Sequence, residues 1–115
     1  MSAPVQQQDV GAPTLLDTRR LRADDGVVRL VVRGEVDLST VDALEAAVSG
    51  AWRPRPAVVV VDLTRVTFCC VAGAGVLIAA RSAAAAQGVE VRLLTRQGTL
   101  RRVLHLVDEL ELGHG

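Results

Sequence analysis

Aromatic side chains are nearly absent from this chain of 115 residues, where Trp52 and Phe68 make up 2% of the total and tyrosine does not occur. Lysine is missing as well, so the thirteen basic residues are all arginines, and thirteen acidic residues balance their charge. A chain with no net charge has no overall field that would attract nucleic acid or an anionic membrane. We therefore expect neither as a partner.

Cysteine is also scarce, and the two that occur, Cys69 and Cys70, are adjacent and provide no disulfide framework. No apolar run approaches the roughly 20 residues that span a bilayer. The polar start from Met1 to Pro13 does not resemble a signal peptide. These absences favour a reducing cytoplasm. We predict that residues 1–13 form a disordered tail and that residues 14–115 form one domain, because a chain of this length has room for a single core.

No group of residues suited to catalysis or metal binding is evident. His105 and His114 have no second ligand at metal-binding spacing. The carboxylates are isolated and cannot be assembled with a nucleophile and a base. Gly73 and Gly75 lack the third glycine and the lysine of a nucleotide-binding loop, and close packing of a helix on a sheet would explain both. We expect no enzymatic activity, no metal and no cofactor.

Half of the residues are hydrophobic, and a core made of valine, leucine, isoleucine and alanine suits helices packed on a sheet. The uninterrupted apolar run Ala57–Val61 predicts a central strand buried on both faces. Asp24, Asp25 and Gly26 predict a tight turn and hence a hairpin. Strands are predicted at Leu15–Ala23, Val27–Arg33, Ala57–Val61 and Val89–Leu93, and helices at Leu38–Gly50, Ala74–Gln87 and Gly98–Val107.

The helix limits follow from capping residues. Ser39 is the predicted N-cap of the first helix, with Asp42 in the place of the usual capping-box glutamate. Gly50 is the predicted end of that helix, and Gly88 is a predicted left-handed cap after the second. Because the second helix separates the last two strands, these strands are expected to be parallel.

Four blocks carry a family resemblance: Gly34–Ser39, Val59–Phe68, Gly73–Leu77 and Gly88–Leu94. In this order and spacing, over about Leu15 to Leu112, the chain resembles the STAS domain of bacterial anti-sigma factor antagonists. The resemblance implies an α/β fold, a STAS-like mixed sheet of four to five strands flanked by helices. It also implies a domain that binds a protein partner and catalyses nothing.

In that family the antagonist captures an anti-sigma factor that is also a serine kinase, and so releases the sigma factor. The kinase phosphorylates a serine at the start of the second helix, within the pattern aspartate, serine, serine or threonine, glycine. Here these positions read Cys70, Val71, Ala72 and Gly73, and no hydroxyl occurs between Cys69 and Gly75. Val71 occupies the phosphosite position. We expect a binding module that phosphorylation of this loop cannot switch off.

The partner-binding surface is predicted at this loop, at the first turns of the second helix, and at the turn after the second strand, which lies beside the loop in the family fold. Its predicted members are Glu35, Asp37, Ser39, Thr40, Cys69, Cys70, Val71, Ala72, Gly73 and Ala74. Thr67 is the nearest hydroxyl and is interpreted as an ordinary β-branched strand residue.

Several alternatives stay open. The two cysteines could form a redox switch, because a thiol near a helix N-terminus can have a lowered pKa, or they could be small buried hydrophobes. The same fold would also suit a STAS subunit that steadies the ATPase of an ABC-type lipid transport complex, or a scaffold in a stress-signalling assembly. The sequence does not identify the partner, and it leaves the oligomeric state open, including a weak homodimer.

Overall fold

The computed structural model describes residues 16–23, 25–96 and 98–113, and the predicted tail Met1–Pro13 lies outside them. In this part of the chain, four strands form one sheet with three helices. The elements are β1 (Asp17–Arg22), β2 (Val27–Val36), α1 (Val41–Trp52), β3 (Val58–Cys69), α2 (Val71–Ala86), β4 (Glu90–Leu94) and α3 (Thr99–Gly113). None of these described helices is both long enough and apolar enough to cross a membrane.

The sheet is mixed, with strand order β1-β2-β3-β4. Strands β1 and β2 form the predicted antiparallel hairpin, in which the Asp25 carboxylate accepts a hydrogen bond from the Val27 N–H at 3.3 Å. Strands β2, β3 and β4 run parallel to one another, since a helix connects each to the next. The predicted α/β fold class is confirmed.

One face of the sheet packs on the helices and holds the core. In β2 the alternate residues Val28, Leu30 and Val32 are buried, whereas Arg29 and Arg33 are exposed on the other side. No helix within the described ranges covers that other side. The prediction that the central strand is buried on both faces is therefore wrong: a run of valines also suits a strand with one bare face, because β-branched residues favour the extended backbone.

Both long strands extend beyond their predicted ends. Strand β2 continues through Gly34 to Val36 because a register shift follows Gly34, which adopts a positive φ of 109° that glycine tolerates. Strand β3 continues past Val61 to Cys69, and its residues Val66, Phe68 and Cys69 pair with this extension of β2. The extra length brings the ends of the two strands to the start of α2.

The helices also differ from prediction at their ends. Helix α1 begins at Val41 instead of Leu38 and runs past Gly50 to Trp52, and Ser39 is not its N-cap. Helix α2 begins at Val71 instead of Ala74. Gly88 has the predicted left-handed backbone, with a φ of 82°.

Candidate partner-binding surface

The candidate surface forms where the parallel strands β2 and β3 end side by side. Val36, the last residue of β2, pairs with Cys69, the last residue of β3. One residue further on, the backbone N–H of Cys70 donates to the carbonyl oxygen of Val36 at 2.9 Å. The turn after β2 and the first turn of α2 are therefore held next to each other.

A carboxylate organises the turn after β2. The Asp37 Oδ1 atom accepts hydrogen bonds from the backbone N–H groups of Ser39 at 2.9 Å and Thr40 at 3.1 Å, and from the Ser39 hydroxyl at 2.6 Å. The Ser39 hydroxyl is the main reason why the pKa of Asp37 lies below its ordinary value. These hydrogen bonds from the Asp37 side chain stabilise a turn at this point of the chain. Helix α1 therefore begins later than the spacing of its apolar residues predicts.

The buried side chain of Thr40 stabilises this turn through hydrogen bonds to the backbone. Only 7% of Thr40 is exposed, and its hydroxyl donates to the Glu35 carbonyl oxygen at 2.8 Å while accepting the Asp37 N–H at 2.9 Å. Both backbone groups would lack these bonds without the hydroxyl. Thr40 thus holds the turn in shape, and its predicted place among the contact residues is wrong because it is buried.

Helix α2 begins without a side-chain cap. Cys70 occupies the N-cap position with an extended backbone, its side chain makes no capping hydrogen bond, and the first turn contains no acidic residue. The positive end of the helix dipole therefore meets no acidic side chain of its own first turn. Val71 is 67% exposed at this end and Ala72 is also exposed. Val71 thus lies at the start of α2, where the family resemblance placed it.

Gly73 and Ala74 lie beneath the surface. Gly73 is buried, and a Cβ atom at this position would overlap the Val36 side chain and come within 3.1 Å of the Cys69 sulfur. Ala74 is fully buried. Both residues therefore set how closely α2 approaches β2, and neither is available to touch a partner as predicted. A Cβ at Gly75 would meet nothing within 4 Å, so close packing explains Gly73 and not Gly75.

The environment of the Cys69 thiol favours its protonated form. Its burial, assisted by the neighbouring Cys70 thiol, raises its pKa to about 11. The group is therefore protonated at neutral pH, whereas oxidation proceeds through the thiolate. The Cys69 sulfur contacts the Cys70 carbonyl oxygen at 3.4 Å. These observations favour the reading of Cys69 as a small packed hydrophobe.

Two apolar residues at this end of the sheet were not among the predicted contacts. Leu38 is 79% exposed at the tip of the Asp37 turn, and Phe68 is 53% exposed in β3 opposite Glu35. Leu38 was predicted to be the first residue of the first helix, and the aspartate immediately before it was the signal for a turn at this position. We call the exposed and half-buried residues of this region the junction surface: Glu35, Asp37, Leu38, Ser39, Phe68, Cys69, Cys70, Val71 and Ala72.

The junction surface has the composition of a protein contact. Leu38, Phe68 and Val71 provide exposed apolar area, and Glu35 and Asp37 provide carboxylates beside it. Exposed apolar groups bordered by polar ones mark interaction sites. The described residues contain no cluster of three or more groups that could hold a metal ion. Such a composition is typical of a surface that binds another protein.

The chain belongs to the STAS domain family, whose family model matches residues 18–113. It is similar to the anti-sigma-F factor antagonist RsfB of Mycobacterium tuberculosis, with 36% identity over 83 residues that cover 72% of this chain and 67% of RsfB. The resemblance noted in the sequence is confirmed.

Solved structures agree with this assignment. A crystal structure of an anti-sigma factor antagonist from Mycobacterium paratuberculosis matches with a TM-score of 0.72 and 27% identity, over 90% of this chain and 86% of that one. The anti-sigma factor antagonist SpoIIAA in its unphosphorylated form matches with a TM-score of 0.65 over 81% of this chain and 84% of its own, at 19% identity. The latter likeness supports the fold alone.

Proposed function

We propose that this protein is an anti-sigma factor antagonist that binds a serine-kinase anti-sigma factor through the junction surface, in a manner that phosphorylation at the start of α2 does not control. The observation that carries the proposal is the exposed Val71 at the first position of α2, where the family pattern has its phosphorylated serine. The naming of RsfB as an anti-sigma-F factor antagonist supports the kind of partner.

The side chains in the first turn of α2 support the proposal that phosphorylation does not regulate binding. A phosphoserine at position 71 would add nearly two negative charges to the junction surface, and such a charge would have to lose its water on binding. Valine at this position has no hydroxyl to accept a phosphoryl group, and Ala72 has none either. Positions 71 and 72 of the junction surface therefore stay uncharged in the presence of an active kinase.

The arrangement of charge on the junction surface indicates the chemistry of the partner's contact surface. The Asp37 carboxylate is ionised at neutral pH and is fixed by its hydrogen bonds, and Glu35 lies two residues before it. Fixed carboxylates beside an apolar centre favour a partner whose contact surface is apolar and bordered by basic side chains. Because the proposed partner controls a transcription factor, the protein would act in the cytoplasm.

The test is a binding titration with the serine-kinase anti-sigma factors of the source organism, each purified and measured by isothermal titration calorimetry. The double variant Leu38→Ser/Phe68→Ser should lose affinity by about tenfold or more, because central apolar contacts carry most of the binding free energy of an interface. Leu106→Ser is a control for the loss of an exposed leucine, since Leu106 is 60% exposed on α3 and is not a member of the junction surface. Equal affinity of the double variant and the wild type would contradict the proposed surface.

A further inference from the structure

The face of the sheet that the helices leave bare carries a concentration of arginines. A shallow cavity of about 330 Å³ lies on this face, across β1, β2 and β3. We call it the arginine face. Its lining consists of Asp17, Arg19, Leu21, Arg29, Val31, Arg33, Asp62 and Arg65.

One of the four arginines is paired within the fold. The Arg29 guanidinium donates to the Asp62 Oδ2 atom at 2.7 Å, and the other oxygen of Asp62 accepts the Thr64 hydroxyl at 2.6 Å and the Thr64 N–H at 3.0 Å. Asp62 is only 5% exposed. Both of its carboxylate oxygens are therefore engaged, and Asp62 is not available to neutralise a second arginine.

The other three arginines have no such partner among the described residues. Within the described part of the chain, Arg19, Arg33 and Arg65 form no salt bridge. Arg33 and Arg65 are direct partners across the parallel strands β2 and β3. Like charges opposite each other destabilise a sheet. Asp17 is the partner of Arg33 on the antiparallel side, but no ion pair joins them. Two exposed guanidinium groups therefore occupy paired positions on neighbouring strands, where one anionic ligand could bind both.

The surroundings of the arginines indicate which anion fits. A guanidinium pairs with a carboxylate or a phosphate through two parallel hydrogen bonds. The lining has no aromatic side chain on which a nucleobase could stack, and the chain has no net charge to attract a polyanion from a distance. Leu21, which is 48% exposed, offers apolar contact beside the charges. A peptide that carries both carboxylates and apolar side chains meets all of these features.

We propose that the arginine face binds an acidic segment of a protein partner, whose carboxylates pair with Arg19, Arg33 and Arg65. None of the residues of the junction surface lines this cavity. The proposal therefore stands apart from the proposed anti-sigma factor interaction, and either one can fail without the other.

The test is fluorescence anisotropy of a dye-labelled peptide of alternating glutamate and leucine, titrated with the full chain at low ionic strength. The same peptide with glutamine in place of glutamate is the ligand control. Arg33→Gln/Arg65→Gln should weaken binding by about tenfold or more, because two charge-assisted pairs are lost. Arg101→Gln/Arg102→Gln, an exposed pair on α3 with the same change of net charge, should leave it unchanged. Binding should weaken as salt rises to about 0.15 M.

A folding control accompanies these variants. Removing one of two opposed like charges should leave the free energy of unfolding unchanged or raise it slightly, and the single variant Arg33→Gln serves if the double variant does not fold. In NMR titrations, the acidic peptide should shift the backbone amides of Arg19, Arg33 and Arg65.

Four results would overturn the proposal. The first is that the wild type does not bind the acidic peptide, and the second is that both double variants lose the same affinity for it. The third is that the wild type binds a single-stranded oligonucleotide more tightly than the peptide, and the fourth is that it binds inorganic pyrophosphate as tightly as the peptide. The third result would indicate a nucleic-acid surface and the fourth a small-anion site.

Discussion

Gly73 lies so close to Val36 that a Cβ atom on residue 73 would overlap the Cγ1 atom of the valine. This approach brings the first turn of α2 against the end of β2, and the hydrogen bond from Cys70 to Val36 fixes it there. The positions of Val71 and Leu38 relative to each other depend on this contact.

Gly73→Ala should therefore destabilise the fold, by about 1–3 kcal/mol, because Val36 is fully buried and can move aside only by disturbing the core. Gly75→Ala is the matched control in the same helical turn, where an added Cβ meets nothing within 4 Å. It should be neutral or stabilise the helix by up to about 1 kcal/mol. Urea unfolding followed by circular dichroism measures both, and equal stability of the two variants would refute the proposed close contact.

Val71→Asp should weaken binding of the anti-sigma factor by about tenfold or more without destabilising the fold. The charge is favourable at a helix N-terminus, by about 0.3–1 kcal/mol, but it must be desolvated in an apolar interface. Ala79→Asp introduces the same charge at an exposed position in the middle of α2 and should bind like the wild type. Calorimetric titration of both variants provides the comparison. An unchanged Kd for Val71→Asp would rule out Val71 as a contact.

Thr40→Val should lower the free energy of unfolding by about 1–3 kcal/mol, because two backbone groups lose the hydroxyl that serves them in a buried position. Ser39→Ala should cost less than about 1 kcal/mol, since Ser39 is exposed and water can replace its hydroxyl. Thermal and urea unfolding test the difference. If Thr40→Val proved as stable as the wild type, Thr40 would have no structural role in the turn.

The free energy of unfolding should depend on pH in the acid range because of Asp62. Burial raises its pKa, but hydrogen bonds from Thr64 and Arg29 outweigh this effect and bring it to about 2, below the ordinary 3.8. A lowered pKa in the folded state means that the carboxylate stabilises the fold above pH 4 and that this contribution disappears as the pH falls towards 2.

Asp62→Asn should accordingly cost about 1–2 kcal/mol at neutral pH, and the difference from the wild type should shrink as the pH falls through this range. Unfolding curves for both proteins at a series of pH values measure it. A difference that stays constant between pH 7 and pH 2 would show that the charge of Asp62 does not contribute.

The sequence predicted the features that local chemistry determines. The turn at Asp25 and Gly26 indicated the hairpin, and the helix between β3 and β4 indicated their parallel order. These two inferences needed only turn propensity and connection length. The position of Val71 at the start of α2 came from the family resemblance, because the residues alone predicted a helix that begins at Ala74.

The features that were missed depend on contacts between distant segments. Strand β3 continues past the polar residues that follow Val61 because β2 pairs with it, and no local pattern records that pairing. Val58 and Val60 are only half-buried because no described helix covers their face of the sheet. An apolar run in the sequence does not show whether helices cover one face of the sheet or both. Phe68 lies instead in an open cavity with Val66 of β3 and Leu100 of α3, and its exposure depends on how α3 packs against the end of β3.

The most direct test of the central claim compares binding of the anti-sigma factor kinase to the wild type and to Val71→Ser, each before and after incubation with Mg-ATP, with phosphate incorporation followed by intact-protein mass spectrometry. The account predicts that the wild type gains no phosphate and keeps its Kd, and that Val71→Ser becomes phosphorylated and loses affinity. Phosphorylation of the wild type at Thr64 or Thr67, with a matching loss of affinity, would contradict it.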